Sequence, residues 1–273
     1  MGFVFVALAC FSALGQTKFS FSLVDKAVVL KRIEEVPIKN EDREAKIKAL
    51  FAEVGCGDAL TEQAVKHTKF PNILCRLPGE TDEVIIVGAH YDQISPAQGI
   101  IDNWSGASLL SSLYQSLAGK KRHHTFLFIA FCEEERGTVG SEFFASHMTQ
   151  DEVAKTEAMV NMDTLGLSPT KIWISAADKD LVKYMTVTAG TLKLPVSRMD
   201  VDKVGSTDSE SFAPKKIPRI TIHSLTQETL PVLHSKRDTI KELHPDDYYD
   251  TYHLVAGYLA YLDTVLQPRT PGK

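Results

Sequence analysis

The stretch "HTFLFIAFCEEE", His124 to Glu135, does most to limit what this chain can become. From Thr125 to Cys132 it is apolar almost without a break. A strand with no wet face must be covered on both sides, and such strands belong to largely parallel sheets flanked by helices. Three carboxylates, Glu133, Glu134 and Glu135, then stand at its end. Side by side at the mouth of a buried strand they repel one another and lose solvation, and a bound cation reverses that penalty.

The rest of the chain alternates in the same way. The spacing predicts an amphipathic helix over 40–54 with an acidic first turn, then two strands about the Pro-Gly turn of "NILCRLPGETDEVIIVGAH". "DNWSGASLLSSLYQSL" opens on an Asp/Asn pair and continues as a helix with a leucine face, and "GSEFFASHM" is a short helix. "AMVNMD", "KIWISA" and "IPRITIHS" read as strands, "KDLVKYMTVTAGTL" as a helix. "DDYYDTYHLVAGYLAYLDTVL" is a long closing helix whose aromatic and leucine faces suit either the core or a dimer interface. No repeat, low-complexity linker or charge block interrupts the pattern. It predicts a single α/β domain with a mostly parallel central sheet and helices on both faces.

Composition narrows the function. The 273 residues are 44% hydrophobic, enough for a sizeable core. A formal net charge of -5 leaves no electrostatic footprint for nucleic acid. No apolar run reaches the roughly 20 residues that a membrane span needs. The uncharged start "MGFVFVALACFSALG" is too short to span and resembles a secretory signal peptide over 1–15, ending small-x-small at Ala13-Leu14-Gly15 but lacking a basic leader. That predicts a mature domain over 16–273 in a secreted or periplasmic setting. Cys56 and Cys75 could then pair across a loop, while Cys132, inside the apolar strand, is expected to be a buried thiol.

In open α/β sheets, chemistry gathers outside the carboxyl ends of the strands. The strand at 84–87 leads to His90 and Asp92, the strand at 125–132 to the three glutamates, and the strand at 158–162 to Asp163. Asp102 stands just before a helix, and the strand at 219–223 leads to a loop carrying His234 and then Asp238. Imidazole mixed with carboxylate suits zinc best, with manganese or cobalt also compatible. His90 is placed to bind such an ion, and Asp92 to hold the imidazole from behind. Singly, each residue has a plainer reading: Asp102 as a helix N-cap, Glu134 as a solvated strand-end charge, Asp163 as a cap on the Leu165-Gly166 turn, His234 as a surface histidine. At successive strand ends they form a set.

"GAHYD", "DNWSG", "EEERGTVGS", "NMDTLG", "STDSESF" and "LHSKRDT" follow one another in an order that resembles the motifs of the co-catalytic zinc aminopeptidases of peptidase family M28. The resemblance runs from about His90 to Asp238. It implies a zinc-peptidase fold and an exopeptidase that releases N-terminal residues from peptides. It implies two zinc ions per chain, one on His90 and Asp163, the other on Glu135 and His234, with Asp102 bridging them. Glu134 is then the general base that activates a water shared by the two ions. Aligning on Gly137 and on Gly140-Ser141 fixes that register and leaves Glu133 outside it.

The chain also departs from the family pattern. Trp104 replaces a small residue and could line the pocket or pack, Thr138 stands where leucine is common, and Ser209 where histidine often follows the aspartate. Asp208 is expected to shape the pocket or bind the loop rather than ligate, and His223 to pack. The alternative reading is a glutaminyl-peptide cyclotransferase, which shares the fold, uses one zinc and closes a ring instead of admitting water. Such cyclases tend to place tryptophan near the final histidine; "LPVLHSKRDT" has none, which favours hydrolysis. A non-catalytic binding module on the same fold would be expected to have lost ligands, and here every position is filled.

Overall fold

The computed structural model describes residues 19–201 and 205–267. The signal-like segment 1–15 lies outside them. The apolar runs form strands β1 (Leu60–Gln63), β2 (Asn72–Leu77), β3 (Val84–His90), β4 (Thr125–Phe131), β5 (Thr156–Met162), β6 (Lys171–Ile172), β7 (Ser197–Arg198) and β8 (Arg219–His223) in one sheet of order β1-β2-β4-β3-β5-β8-β6-β7. The four central strands, β4, β3, β5 and β8, run parallel. β2 joins this centre antiparallel on one side and β6 on the other. The sheet is therefore mixed, with a parallel core.

Both faces are covered, as the apolar run of β4 requires. Phe126, Phe128 and Ala130 enter the larger apolar layer, while Ile129 and Phe131 enter a smaller one with Ile86, Met159 and Phe212. Helices α1 (Lys26–Glu34), α2 (Asn40–Glu53), α3 (Ser105–Ala118), α6 (Lys179–Leu192) and α7 (Pro245–Val265) build the first layer. The short helices α4 (Val139–His147) and α5 (Gln150–Lys155), with a 3₁₀ segment at Asp208–Lys215, close the second. Gly88 lies where the smaller layer is tightest. A Cβ there would stand 2.6 Å from the Phe131 ring and 2.7 Å from the Met159 methyl.

Three expectations need adjustment. The strands about the Pro-Gly turn are both present, but β4 lies between them, so the turn is a crossover within the sheet and not a hairpin. Of "KIWISA" only Lys171–Ile172 pairs. The spacing also gave no sign of α1, α5, β1 or β7, which are short or weakly apolar. The closing helix belongs to the core: Tyr248, Tyr252, Leu254, Val255, Tyr258, Leu259 and Leu262 are all buried. Cys56 and Cys75 are joined in a disulfide that ties the end of α2 to β2, and Cys132 is a buried thiol. Among the described residues, no helix is long and apolar enough to cross a membrane.

Candidate active site

The parallel strands bring their carboxyl ends to one edge, and the polar residues singled out in the sequence converge there. His90 closes β3 and is buried, with neither ring nitrogen in a hydrogen bond. Its Nε2 lies 3.3 Å from Asp102 Oδ1 and 3.8 Å from both Asp163 Oδ1 and Glu134 Oε2. His234 reaches in from the loop after β8, its Nε2 3.3 Å from Asp102 Oδ2 and 2.9 Å from Glu135 Oε2. Two triads result, His90–Asp102–Asp163 and Asp102–Glu135–His234, each with its donor atoms within 4.8 Å of one another. Asp102 belongs to both and turns one oxygen to each histidine. It is not a helix cap: Asn103 does that work, its Oδ1 accepting from the Gly106 N–H at 2.9 Å.

Side-chain hydrogen bonds hold the loops in place. Asp238 accepts from the amides of Ile100, Ile101 and Asp102 at 2.7–3.2 Å, which fixes the turn that delivers Asp102. Asn103 donates to the Met162 carbonyl at 2.9 Å and so draws that turn to the end of β5, beside Asp163. Asp163 is held in turn by Thr207, whose hydroxyl donates to its Oδ2 at 2.9 Å and accepts from Asn161 at 2.8 Å. Asp92 lies behind His90, its Oδ1 3.5 Å from Nδ1, but its hydrogen bonds go to the amides of Glu134 at 3.0 Å and Glu135 at 3.2 Å. It therefore ties the acidic turn to the strand that carries His90, a role its position two residues after the histidine did not reveal. Glu133 faces elsewhere, accepting from Thr68 at 2.9 Å and pairing with Arg136 at 3.1 Å. That supports the register that leaves it outside the cluster.

The electrostatics are those of crowded, buried acids. Burial, reinforced by Asp208, Asp163 and Asp102, pushes the Glu134 carboxyl up to about 10 against the pull of His90. Burial also raises Glu135. Burial alone would raise Asp102 too, but its close contacts with His234 and His90 hold it well below the usual carboxylate range. Those same contacts with Asp102 and Glu135 lift His234 to about 10. Burial would lower His90, but Glu134, Asp102, Asp163 and Asp92 outweigh it and hold the imidazole well above its ordinary value. Protons thus stand where positive charge is needed, and divalent cations replace protons in such sites. The free ring nitrogens of His90, the split carboxylate of Asp102 and the mixed imidazole–carboxylate donors all fit zinc.

The cluster floors a cavity of about 250 Å³. Asp102, Glu134, Glu135, Asp163 and His234 form its polar side, and Trp173, Val201, Leu225 and Leu233 its apolar side. His223 joins the wall with both ring nitrogens engaged, Nε2 with the Met199 carbonyl at 3.1 Å and Nδ1 with the Leu225 amide at 3.2 Å. Burial lowers it to about 4, so the ring is neutral. Trp104 does not line the cavity. It is fully buried and donates to the Arg32 carbonyl at 3.1 Å. Asp208 is fully buried and does not line the cavity. Trp173 is the tryptophan that reaches the site. Distant from His234 in sequence but near it in space, it weakens the case against a cyclase drawn from "LPVLHSKRDT" alone.

A sheet of this order with two histidine–carboxylate triads at its carboxyl edge defines an α/β protein with a candidate metal centre. Peptidase family M28 matches residues 72–259, more than half of the chain, and the chain belongs to that family. It is 26% identical over 242 residues to Aminopeptidase YwaD of Bacillus subtilis (strain 168), covering 82% of this chain and 50% of that protein. It spans about half the length of that relative. Among solved structures it resembles BSAP, a zinc aminopeptidase from Bacillus subtilis, with TM-score 0.64 and 22% identity over 70% of this chain and 49% of that one. It also resembles an Acidobacteriales bacterium glutaminyl cyclase, with TM-score 0.73 and 16% identity over 87% of this chain and 93% of that one.

Proposed function

We propose that the chain is a zinc-dependent aminopeptidase that hydrolyses N-terminal residues from peptides. The observation that carries this reading is the pair of triads sharing Asp102, with Glu134 beside them and no triad role of its own. His90 and Asp163 would hold one zinc ion, Glu135 and His234 the other, and Asp102 both. When bound, the ions supply Lewis-acid charge for the scissile carbonyl and its oxyanion. Glu134 takes the proton of the attacking water and returns it to the leaving amine. Asp92 keeps Glu134 and Glu135 facing the cluster through their amides. The acids attract the free α-amine of a peptide, and the apolar wall of Trp173, Val201, Leu225 and Leu233 receives its first side chain. The names of the aminopeptidase relatives support the reading. The Cys56–Cys75 disulfide and the signal-like start support a secreted or periplasmic setting.

The test is metal content per chain, with release of aminoacyl-p-nitroanilides with and without chelator. Near two zinc ions, chelator-sensitive hydrolysis and preference for apolar over charged N-terminal residues are expected. A second reading, cyclisation of N-terminal glutamine on a single zinc, is favoured by Trp173 in the cavity wall and by the likeness to the cyclase fold. One zinc, no hydrolysis and ring closure on glutaminyl peptides would establish it instead.

A further inference from the structure

Arg43 is a fully buried cation on α2, ahead of the family-matched residues 72–259. Its guanidinium donates to backbone carbonyls: Pro37 at 2.9 Å, Tyr91 at 3.1 Å, Asp92 at 3.4 Å, Gln98 at 2.6 Å and Gly99 at 2.9 Å. It lies over the Trp104 ring, 5.5 Å from the centroid. Pro37 precedes α2, and the other four carbonyls lie at the two ends of one segment, 91–99. Tyr91 and Asp92 form the exit of β3 just after His90, and Gln98 and Gly99 open the turn that delivers Asp102. A planar fork of five donors can bridge fixed acceptors in this way; an ammonium cannot. Gly99 is shaped to receive it, with φ +61° and a would-be Cβ 3.1 Å from both terminal nitrogens. Burying a guanidinium is costly, and the charge sits within electrostatic reach of Asp92, Asp238, Asp102 and Glu135. A residue that only filled space would not bring a cation to this depth beneath an acidic cluster.

We infer that Arg43 is a positioning residue for the metal cluster: it locks the β3 exit and the Gly99 turn together so that His90 and Asp102 present their donor atoms to one point. The inference rests on the metal-site reading above. Its fixed charge also offsets part of the negative charge that the cluster gathers.

Cobalt(II) in place of zinc tests it. Two ions bound by the unaltered chain, with visible d–d bands, establish the parent reading. Arg43→Lys keeps the charge and loses the fork. It should stay folded by circular dichroism, yet shift the cobalt bands and weaken cobalt affinity roughly 10- to 100-fold in chelator competition. It should lower kcat by a similar factor with KM little changed. Arg43→Met should do the same more strongly, with partial recovery of the bands in millimolar guanidinium. Arg32→Lys serves as control: it alters another buried arginine, whose guanidinium donates to Ser112, Glu53 and Gln115 and to nothing in 91–102. It should keep the bands, the affinity and kcat. Arg43 variants that melt lower but retain the cobalt spectrum and affinity of the unaltered chain would overturn the inference. If Arg43→Met does not fold, Arg43→Lys decides alone. An unaltered chain that binds no cobalt would overturn the parent reading, and the inference with it.

Discussion

Glu134 and Glu135 are neighbours in the chain and meet different partners. The left-handed turn at Glu133, φ 56°, aims Glu135 at His234 and leaves Glu134 beside His90. Glu134→Gln should keep its metal by elemental analysis and lose roughly 10²- to 10⁴-fold in kcat; loss of metal in step with activity would show that the register is wrong. The chelated chain should also respond to pH. His234, lifted to about 10, contributes stability that is whole below its ordinary value of 6.5 and is lost as pH rises toward 10. Glu134, also lifted to about 10, stays protonated when folded, so rising pH favours the unfolded chain, where it ionises freely. Both act in the same direction. Melting temperature in chelator should fall from pH 6.5 toward pH 10, and zinc should flatten the slope; a rise over that window would contradict this charge assignment. The cluster residues were legible because each has the chemistry of a ligand and stands in a short motif at a strand end, before a helix or in the loop after β8. Arg43 was not, and of Asp238 only the place in the motif was, because most of their partners are backbone groups far away in sequence. Arg43 left one faint sign: it shares the core-facing stripe of α2 with Ile47, Leu50 and Phe51.

Among the elements, the loops are held more by acceptors than by packing. Asp238 takes three amides of the turn before Asp102 and sits four residues after His234 on the same loop. Asp238→Asn removes one acceptor oxygen and sets an N–H against an N–H. It should cost about 1–3 kcal/mol in urea unfolding and weaken metal binding as well, whereas a variant with unchanged affinity would show that the turn holds its shape alone. The strands were legible from apolar runs, since a continuous run forces burial on both faces. Their order was not, because apolarity does not say that β4 would slip between β2 and β3. Trp173 was missed for a related reason: it leaves the sheet just after β6 and comes to line one cavity with His234 only through the fold.

At the scale of the molecule, the Cys56–Cys75 disulfide closes a span of 19 residues that fastens α2, and with it Arg43, to β2. Cys56→Ser/Cys75→Ser should lower stability by about 3 kcal/mol in denaturant titrations; no change would mean that α2 is already held by its packing. Fold class and parallel centre were both readable in the alternation of strands and helices, while the burial of α7 was not, because its apolar faces suit a partner as well as a core. His90 and His234 are 144 positions apart, and the sheet that joins them is closed by parallel pairings of β3 with β5 and β5 with β8. Contacts of such separation form slowly, after local structure. On that ordering the ligand set is complete only once these strands have paired, and ion capture would follow folding rather than nucleate it.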